Sequence, residues 1–154
     1  SPATLIFDAG TGIIPLGKEI CSRASTDPIA YVFLSHTHID HLMGLYFFEP
    51  LLTFGARSFI YGPGRSSGAL WRTLQQLTQS NLFPVTFDEL KGKTEVHSLA
   101  GGEVLRFGAR GRRLALRKTP PARHKINGDL SITTYKSPAH PRDGHTYPSS
   151  EFIC

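Results

Sequence analysis

One run of six apolar residues, residues 29–34 (IAYVFL), limits the folds open to this chain more than any other feature of its sequence. A continuous apolar run of this length is typical of a β-strand that is covered on both faces, as in parallel sheets. Before it, residues 4–8 are β-rich and end at a Gly-rich turn, and apolar residues recur at helical spacing over residues 13–23. The order strand, helix, strand predicts an α/β domain.

The rest of the sequence predicts further elements of both kinds. Helical spacing continues over residues 42–54 and 69–80, with a short strand over residues 58–61 between them. Short β-type runs separated by turns then follow at residues 85–87, 95–99, 104–107, 112–116 and 130–135. Because domains commonly hold roughly 100–200 residues, we expect residues 1–154 to form a single domain.

Composition excludes several other classes of protein. Hydrophobic residues make up 40% of the chain, which is too many for a disordered polymer, and 15 Gly and 11 Pro would interrupt a coiled coil. No apolar stretch reaches the roughly 18 residues of a membrane span, and no targeting segment is visible. Cys21 and Cys154 are the only cysteines, which predicts no disulfide framework and a cytoplasmic setting. Since the chain begins without Met, we expect it to be part of a longer one.

Four potential metal ligands lie within six residues directly after the buried strand, in the segment HTHIDH: His36, His38, Asp40 and His41. Residues two apart in an extended segment point the same way, so His36 and His38 can bind one ion. Asp40 stands where a helix N-cap is expected and His41 opens the first turn, so both leave the backbone in another direction. This spacing suits two ions. The alternative is a polar surface turn with Asp40 as its cap, but the apolar elements on both sides favour a metal site.

Two segments carry a resemblance to a known family. Residues 5–12 (LIFDAGTG) and 33–45 (FLSHTHIDHLMGL) resemble the first two motifs of the metallo-β-lactamase fold superfamily. Residues 45–52 (LYFFEPLL), together with YGP at residues 61–63 and FPV at residues 83–85, are more similar to its phosphodiesterase branch, which includes ribonuclease Z. The resemblance implies an α/β fold arranged as an αββα sandwich of two similar halves.

The resemblance also implies the metal ligands. Residues 137–141 (SPAHP) resemble the third motif of the family, so His140 would complete a first zinc site with His36 and His38. Asp40 and His41 would bind a second ion, with manganese as an alternative to zinc. The family normally supplies a bridging Asp and a last His from its second half, but only fourteen residues follow His140. We therefore expect the metallo-β-lactamase-like domain to be truncated, with an incomplete second half.

Two further residues outside this loop, Asp8 and His97, also have predicted roles. Asp8 ends the first predicted strand, and a carboxylate there needs a partner, for which an imidazole N–H of the histidine loop is suitable. Such a contact would fix the tautomer and orientation of a metal ligand. The alternative is that Asp8 merely forms the turn before Gly10. His97 falls inside a predicted strand, and we expect it to be structural.

Residues 106–125 form the one marked compositional shift, with eight Lys or Arg residues and no acid. This segment can meet the phosphates of a nucleic acid, but Phe107 is its only aromatic residue, which argues against a base-stacking surface. We favour a solvated edge strand and loop whose charges discourage edge-to-edge pairing.

These features predict a metal-dependent hydrolase that uses a metal-bound hydroxide on a cyclic phosphodiester or an RNA 3′ end. Asp40 is the candidate catalytic residue, because it can orient or deprotonate the attacking water. One alternative is a lactone or thioester hydrolase of the same fold. Another is a catalytically silent, incomplete domain that serves as a binding or assembly module. An incomplete sheet leaves apolar faces uncovered, so we also expect self-association, with no membrane partner.

Overall fold

Two four-stranded sheets and a layer of helices make up the part of the chain that the computed structural model describes, which comprises residues 3–23, 27–79, 83–90, 92–107, 113–118, 130–137 and 149–153. The first sheet is parallel and keeps chain order, with strands β1 (Thr4–Phe7), β2 (Ile29–Phe33), β3 (Arg57–Pro63) and β4 (Lys93–Leu99). The second sheet is antiparallel in the order β6, β5, β7, β8, with strands β5 (Glu103–Phe107), β6 (Arg113–Lys118), β7 (Leu130–Ser137) and β8 (Ser149–Ile153).

The helices of the described residues lie in the connections of the parallel sheet: α1 (Ile13–Arg23), α2 (Glu49–Leu52) and α3 (Ala69–Leu77). Each connection moves one strand further in the same direction, so crossovers of one hand place all three helices on one face. Ile13, Leu51 and Leu70 of these helices accordingly share one core cluster with strand residues of the sheet. None of these helices has the length and apolar character needed to cross a bilayer; α1, the longest, has 11 residues.

Strand β2 is buried on both faces, as its continuous apolar run predicts. Ala30 and Val32 pack in the cluster that contains the helices, whereas Tyr31 and Phe33 pack against the second sheet. All four side chains are buried. Fully burying one large apolar side chain contributes about 1.5–3 kcal/mol. Because β2 supplies side chains to both clusters, both halves of the core depend on this strand.

A row of rings crosses the parallel sheet at its carboxyl-terminal edge. Phe7, Phe33, Tyr61 and His97 occupy paired positions on β1, β2, β3 and β4. Their ring centroids are 5.5, 5.1 and 4.8 Å apart from one neighbour to the next, and each pair is stacked. Phe107 of the second sheet meets Phe33 edge to face at 6.1 Å. The row fixes the spacing of the two sheets at the end where β1 and β2 finish.

The architecture confirms the predicted α/β, metallo-β-lactamase-like fold class. In the described residues it comprises a helical layer and two sheets, which are three of the four layers of an αββα sandwich. The strand β8 was not predicted, and the expected strands other than residues 85–87 are present with ends that differ by a few residues.

Two predicted elements are wrong. Residues 42–54 do not form one helix but a 3₁₀ turn over Leu45–Phe47 followed by the short helix α2, with Phe48 extended between them. Pro50 lacks an amide hydrogen and suits the first turn of a helix. A new helix, α2, therefore begins at Glu49 with Pro50 in its first turn, and the preceding 3₁₀ turn does not continue into it. Residues 85–87 are not a strand, because Thr86 and Glu89 form a capping box around a 3₁₀ turn, Phe87–Glu89.

The buried carboxylate of Glu103 joins the turn that links the two sheets to strand β7 of the second sheet. Glu103, which is 2% exposed, accepts hydrogen bonds from the backbone N–H groups of Ala100 (3.0 Å) and Gly101 (2.8 Å) and from the hydroxyl of Thr134 (2.9 Å). Burial alone would raise the pKa of Glu103, but these hydrogen bonds outweigh it and lower the pKa below its usual value. The ionised carboxylate therefore stabilises the turn between β4 and β5 and holds it to β7.

We predict that Glu103→Gln lowers the free energy of unfolding by about 1.5–3 kcal/mol at pH 7, because two backbone donors would then face an amide in place of a carboxylate. A lowered folded-state pKa gives stability that is present above the unfolded-state pKa of about 4.3 and is lost as pH falls through the folded-state pKa. The difference between wild type and variant should therefore shrink in acid.

Urea unfolding at pH 7 and at about pH 3 measures both effects. Glu19→Gln is the matched control, because Glu19 is an exposed partner of Arg23 and such surface pairs contribute about 0–1 kcal/mol. Equal stability of wild type and Glu103→Gln at pH 7 would contradict the assignment.

Candidate metal centre

The histidine loop lies at the carboxyl-terminal ends of β1 and β2, which are neighbouring parallel strands. Phe7 and Phe33, their last residues, are paired, so the segments that follow leave the sheet side by side. The backbone N–H of Asp8 donates to the carbonyl of Phe33 (2.8 Å), and that of Ala9 donates to the carbonyl of His41 (2.9 Å). These hydrogen bonds join the turn after β1 to the loop after β2.

Two glycines allow the joined loops to approach closely. A Cβ at Gly10 would lie 2.8 Å from the carbonyl oxygen of Asp40, and a Cβ at Gly44 would collide with the carbonyl oxygen of Gly10. The N–H of Gly44 also donates to the carbonyl of Ala9 at 2.9 Å. Glycine at these two positions is therefore required by backbone contact rather than by an unusual dihedral angle, since φ of Gly44 is −76°.

Asp8 connects three groups of the loop. Its carboxylate accepts hydrogen bonds from the backbone N–H of Ser35 (2.8 Å) and from the Ser35 hydroxyl (2.8 and 2.9 Å), and lies 2.9 Å from Nδ1 of His41. The imidazole contact expected from the sequence is thus present. Asp8 also forms the turn, because its φ of 60° lies in the left-handed region that costs a non-glycine residue roughly 1–2 kcal/mol. Asp8 therefore fits both predictions: it contacts an imidazole of the loop and it forms the turn before Gly10.

The imidazoles of the loop gather around His36. Its ring centroid is 4.6 Å from that of His38 and 4.0 Å from that of His41. The sequence predicts that His41 points away from His36 and His38, but the 3₁₀ turn Ile39–His41 brings its ring back towards His36. Burial, followed by the charges of His41 and His38, lowers the pKa of His36, and Asp8 and Asp40 oppose this effect. A lowered pKa favours the neutral imidazole, which is the form that binds metals.

Asp40 differs from Asp8 in its environment. Its side chain is 72% exposed, against 31% for Asp8, and its carboxylate lies 3.4 Å from Nε2 of His41. The predicted role of Asp40 as an N-cap is wrong. His38 is the residue that precedes the 3₁₀ turn, and Asp40 lies inside that turn. Asp40 therefore presents a solvent-accessible carboxylate beside the histidines.

The structure brings together five of the six predicted site residues. These are Asp8, His36, His38, Asp40 and His41. His140, the predicted third-motif ligand, lies outside the described residues, as does most of the basic segment 106–125. His97 stacks on Tyr61 and lies 3.4 Å from Glu95, which fits the structural role expected of it.

Ser35 is a further residue of the site that the sequence did not predict. Its hydroxyl contacts both Asp8 and Nδ1 of His36, the latter at 3.0 Å. A hydroxyl directly before a histidine at the end of a buried strand is the signal that identifies it.

The side chains of this loop fit a metal ion in their chemistry, because they combine imidazoles with a carboxylate and because Ser35 and Asp8 contact the Nδ1 atoms of His36 and His41. In the ranges that the structure describes, no group of three or more His, Cys, Asp or Glu side chains is arranged to hold a metal ion by itself. The described loop is therefore a partial ligand set.

Comparison with known proteins agrees with this geometry. A family model described as a β-lactamase superfamily domain matches residues 3–134. A ribonuclease Z from Pyrococcus horikoshii is 34% identical over 106 residues, which cover 67% of this chain and 31% of that protein. The chain therefore spans less than a third of the length of this relative. No solved structure matches the chain.

We predict that Gly44→Ala destabilises the protein by about 1–3 kcal/mol, because the new methyl group would displace the Gly10 carbonyl and lies 2.7 Å from Cγ2 of Ile13. Thermal or urea unfolding measures the effect. Gly12→Ala is the matched control, since a Cβ at Gly12 meets no atom within 4 Å, and we expect it to be neutral or stabilising by about 0.4–1 kcal/mol. Equal effects of the two substitutions would contradict the close approach of the loops.

Proposed function

The chain belongs to the metallo-β-lactamase superfamily, and two thirds of the chain resembles part of a ribonuclease Z. We therefore propose that it is a metal-dependent hydrolase of phosphodiester bonds. The superfamily match supports a hydrolase in general terms. The observation that carries the more specific proposal is the gathering of His38 and His41 around His36, beside the exposed carboxylate of Asp40.

Each member of the loop has a distinct part in this proposal. His36 and His38 would hold one zinc ion, and Asp40 and His41 would hold the second, with manganese as an alternative. His140 stays a predicted ligand of the first ion. Bound ions would supply Lewis acidity at the phosphoryl oxygen and would lower the pKa of a water molecule.

The protein's own contribution is to hold these side chains and to manage a proton. Asp8 and Ser35 hold His41 and His36 in place from the partly buried side of the loop. Asp40 is accessible from solvent, so its carboxylate can accept a hydrogen bond from the attacking water and orient it towards phosphorus. The exposure of Asp40 is what separates this role from the positioning role of Asp8.

We propose a cyclic phosphodiester or an RNA 3′ end as the substrate, because the sequence resembles the phosphodiesterase branch of the family; of the two, the ribonuclease Z relative supports RNA. An affinity that falls steeply with salt would favour RNA, because binding of many phosphates releases counterions. Self-association stays a prediction from the sequence.

We predict that the purified protein retains at least about one equivalent of zinc or a similar divalent ion after dialysis, because neutral imidazoles and carboxylates bind such ions tightly. The double variant His36→Ala, His38→Ala should retain less than about a tenth of an equivalent by elemental analysis. His97→Gln is the control, because it removes a histidine outside the loop. Unchanged metal content in the double variant, or a metal-free wild type, would refute the ligand assignment.

We predict that Asp40→Ala lowers turnover of an activated phosphodiester, such as bis(p-nitrophenyl) phosphate, by more than about 10²–10³-fold. Stability should change by less than about 0.5 kcal/mol, because the side chain is exposed and caps no helix. Asp88→Ala, which removes another exposed carboxylate, bound to Gln75 at 2.8 Å, should keep full activity.

Parallel melting curves and metal analyses separate loss of chemistry from loss of fold or metal. More than about a tenth of wild-type turnover in Asp40→Ala would contradict its catalytic role. A wild type that binds metal without turnover would instead support the catalytically silent binding module.

A further inference from the structure

We propose that Ser35 is a positioning residue that fixes the tautomer of His36, so that His36 carries its proton on Nδ1 and presents Nε2 as the donor atom. The inference builds on the proposed function, in which His36 holds a metal ion. It concerns a residue that neither the sequence motif nor the family match assigns to the site.

The Ser35 hydroxyl contacts both a carboxylate and an imidazole. Oγ lies 2.8 and 2.9 Å from the two carboxylate oxygens of Asp8 and 3.0 Å from Nδ1 of His36. A serine hydroxyl has one proton to donate and lone pairs with which to accept. It can therefore donate to Asp8 or to His36, but not fully to both.

The acceptor strengths decide between these two arrangements. An ionised carboxylate can only accept, and hydrogen bonds to a charged acceptor are roughly twice as strong as neutral ones. The backbone N–H of Ser35 also donates to Asp8, at 2.8 Å, and holds the residue against that carboxylate. The hydroxyl proton therefore points to Asp8, and the lone pairs of Oγ remain for His36.

The proton on His36 follows from this assignment. An Oγ that has already given its proton to Asp8 can only accept from Nδ1, so Nδ1 must carry a hydrogen. In a neutral imidazole one ring nitrogen is protonated and the other has the lone pair. His36 therefore keeps its lone pair on Nε2.

The same carboxylate acts on His41 without an intermediary, because Asp8 Oδ2 lies 2.9 Å from Nδ1 of that ring. The Asp8 carboxylate thus determines which ring nitrogen is protonated in two imidazoles: it acts on His41 directly and on His36 through the hydroxyl of Ser35. This gives a physical reason for a serine between Leu34, the last residue of the buried apolar run, and the first histidine of the loop. An alanine at this position would leave His36 without the contact that selects its tautomer.

The test is a long-range ¹H–¹⁵N correlation spectrum of histidine-labelled protein without metal, at about pH 8, where an unperturbed imidazole is neutral. His36 is assigned by the signal that disappears in His36→Gln. In wild type we expect a protonated Nδ1 and an unprotonated Nε2, which is the tautomer that isolated histidine disfavours.

Three variants give the comparison. In Ser35→Ala we expect His36 to shift towards the tautomer with a protonated Nε2, and metal affinity to fall by about 10–100-fold. Ser35→Thr keeps the hydroxyl and should restore both the wild-type tautomer and the affinity. Ser22→Ala is the control, because its hydroxyl contacts only the backbone carbonyl of Glu19, at 3.0 Å, among the described contacts.

A protonated Nε2 in the wild-type protein would overturn the proposal, and so would an unchanged tautomer in folded Ser35→Ala. The wild-type spectrum alone decides the matter if Ser35→Ala fails to fold. Because the spectrum is recorded without metal, a shifted tautomer in a protein that neither binds metal nor cleaves phosphodiesters would leave this inference standing and refute the proposed function.

Discussion

The carboxylate of Asp8 is the interaction on which the histidine loop depends. It follows the last residue of β1, and it binds the backbone and hydroxyl of Ser35 and contacts Nδ1 of His41, all of which follow β2. Reaching these groups requires a left-handed backbone at Asp8, with φ of 60°. Residues in such conformations persist where the surrounding structure over-determines them, and hydrogen bonds to a charged acceptor are strong enough to do so. The contacts that hold the histidine loop therefore also stabilise the left-handed turn at Asp8.

The carboxylate of Asp8 lies at the end of a sheet whose neighbouring strands pack ring against ring. Stacking of Phe7 on Phe33 and of Phe33 on Tyr61 holds the ends of the first three strands at a constant spacing, and Phe107 packs against the same row from the second sheet. Gly10 and Gly44 then bring the two loops into backbone contact. The two carboxylates differ accordingly: Asp8 is partly buried and holds Ser35 and His41, whereas Asp40 extends into solvent, where the proposed function has it meet water and substrate. The proposed function depends on such packing, because hydrolysis requires side chains that are held in place before the substrate binds.

Much of the fold was predictable because its central strands β2 and β3 are covered on both faces. An apolar run such as β2 has few alternatives to a buried parallel strand, and helices α1 and α3 show the apolar spacing of amphipathic helices. Prediction failed where local chemistry competes with periodicity. Residues 42–54 have a helical pattern of apolar residues, yet Pro50 starts a new helix there and Gly44 is held against the turn after β1. Residues 85–87 have strand-like composition, but Thr86 and Glu89 satisfy each other's backbone and side chain within one turn.

The sequence by itself determined the α/β class, the position of the histidine loop after β2 and the residue types that a metal site would use. These follow from patterns within a few neighbouring residues, which the pleat of a strand or the pitch of a helix converts directly into geometry. The sequence predicted a contact between Asp8 and an imidazole of the loop, but only the tertiary structure decided that this imidazole is His41 and that Asp8 also reaches Ser35. It also decided that His36 lies close to two other imidazoles and that Asp40 is exposed and caps no helix. Those contacts join residues up to 33 positions apart, since Asp8 meets His41, and they arise from the pairing of two parallel strands whose ends coincide. No local pattern contains that register, because it is set by the packing of the whole sheet.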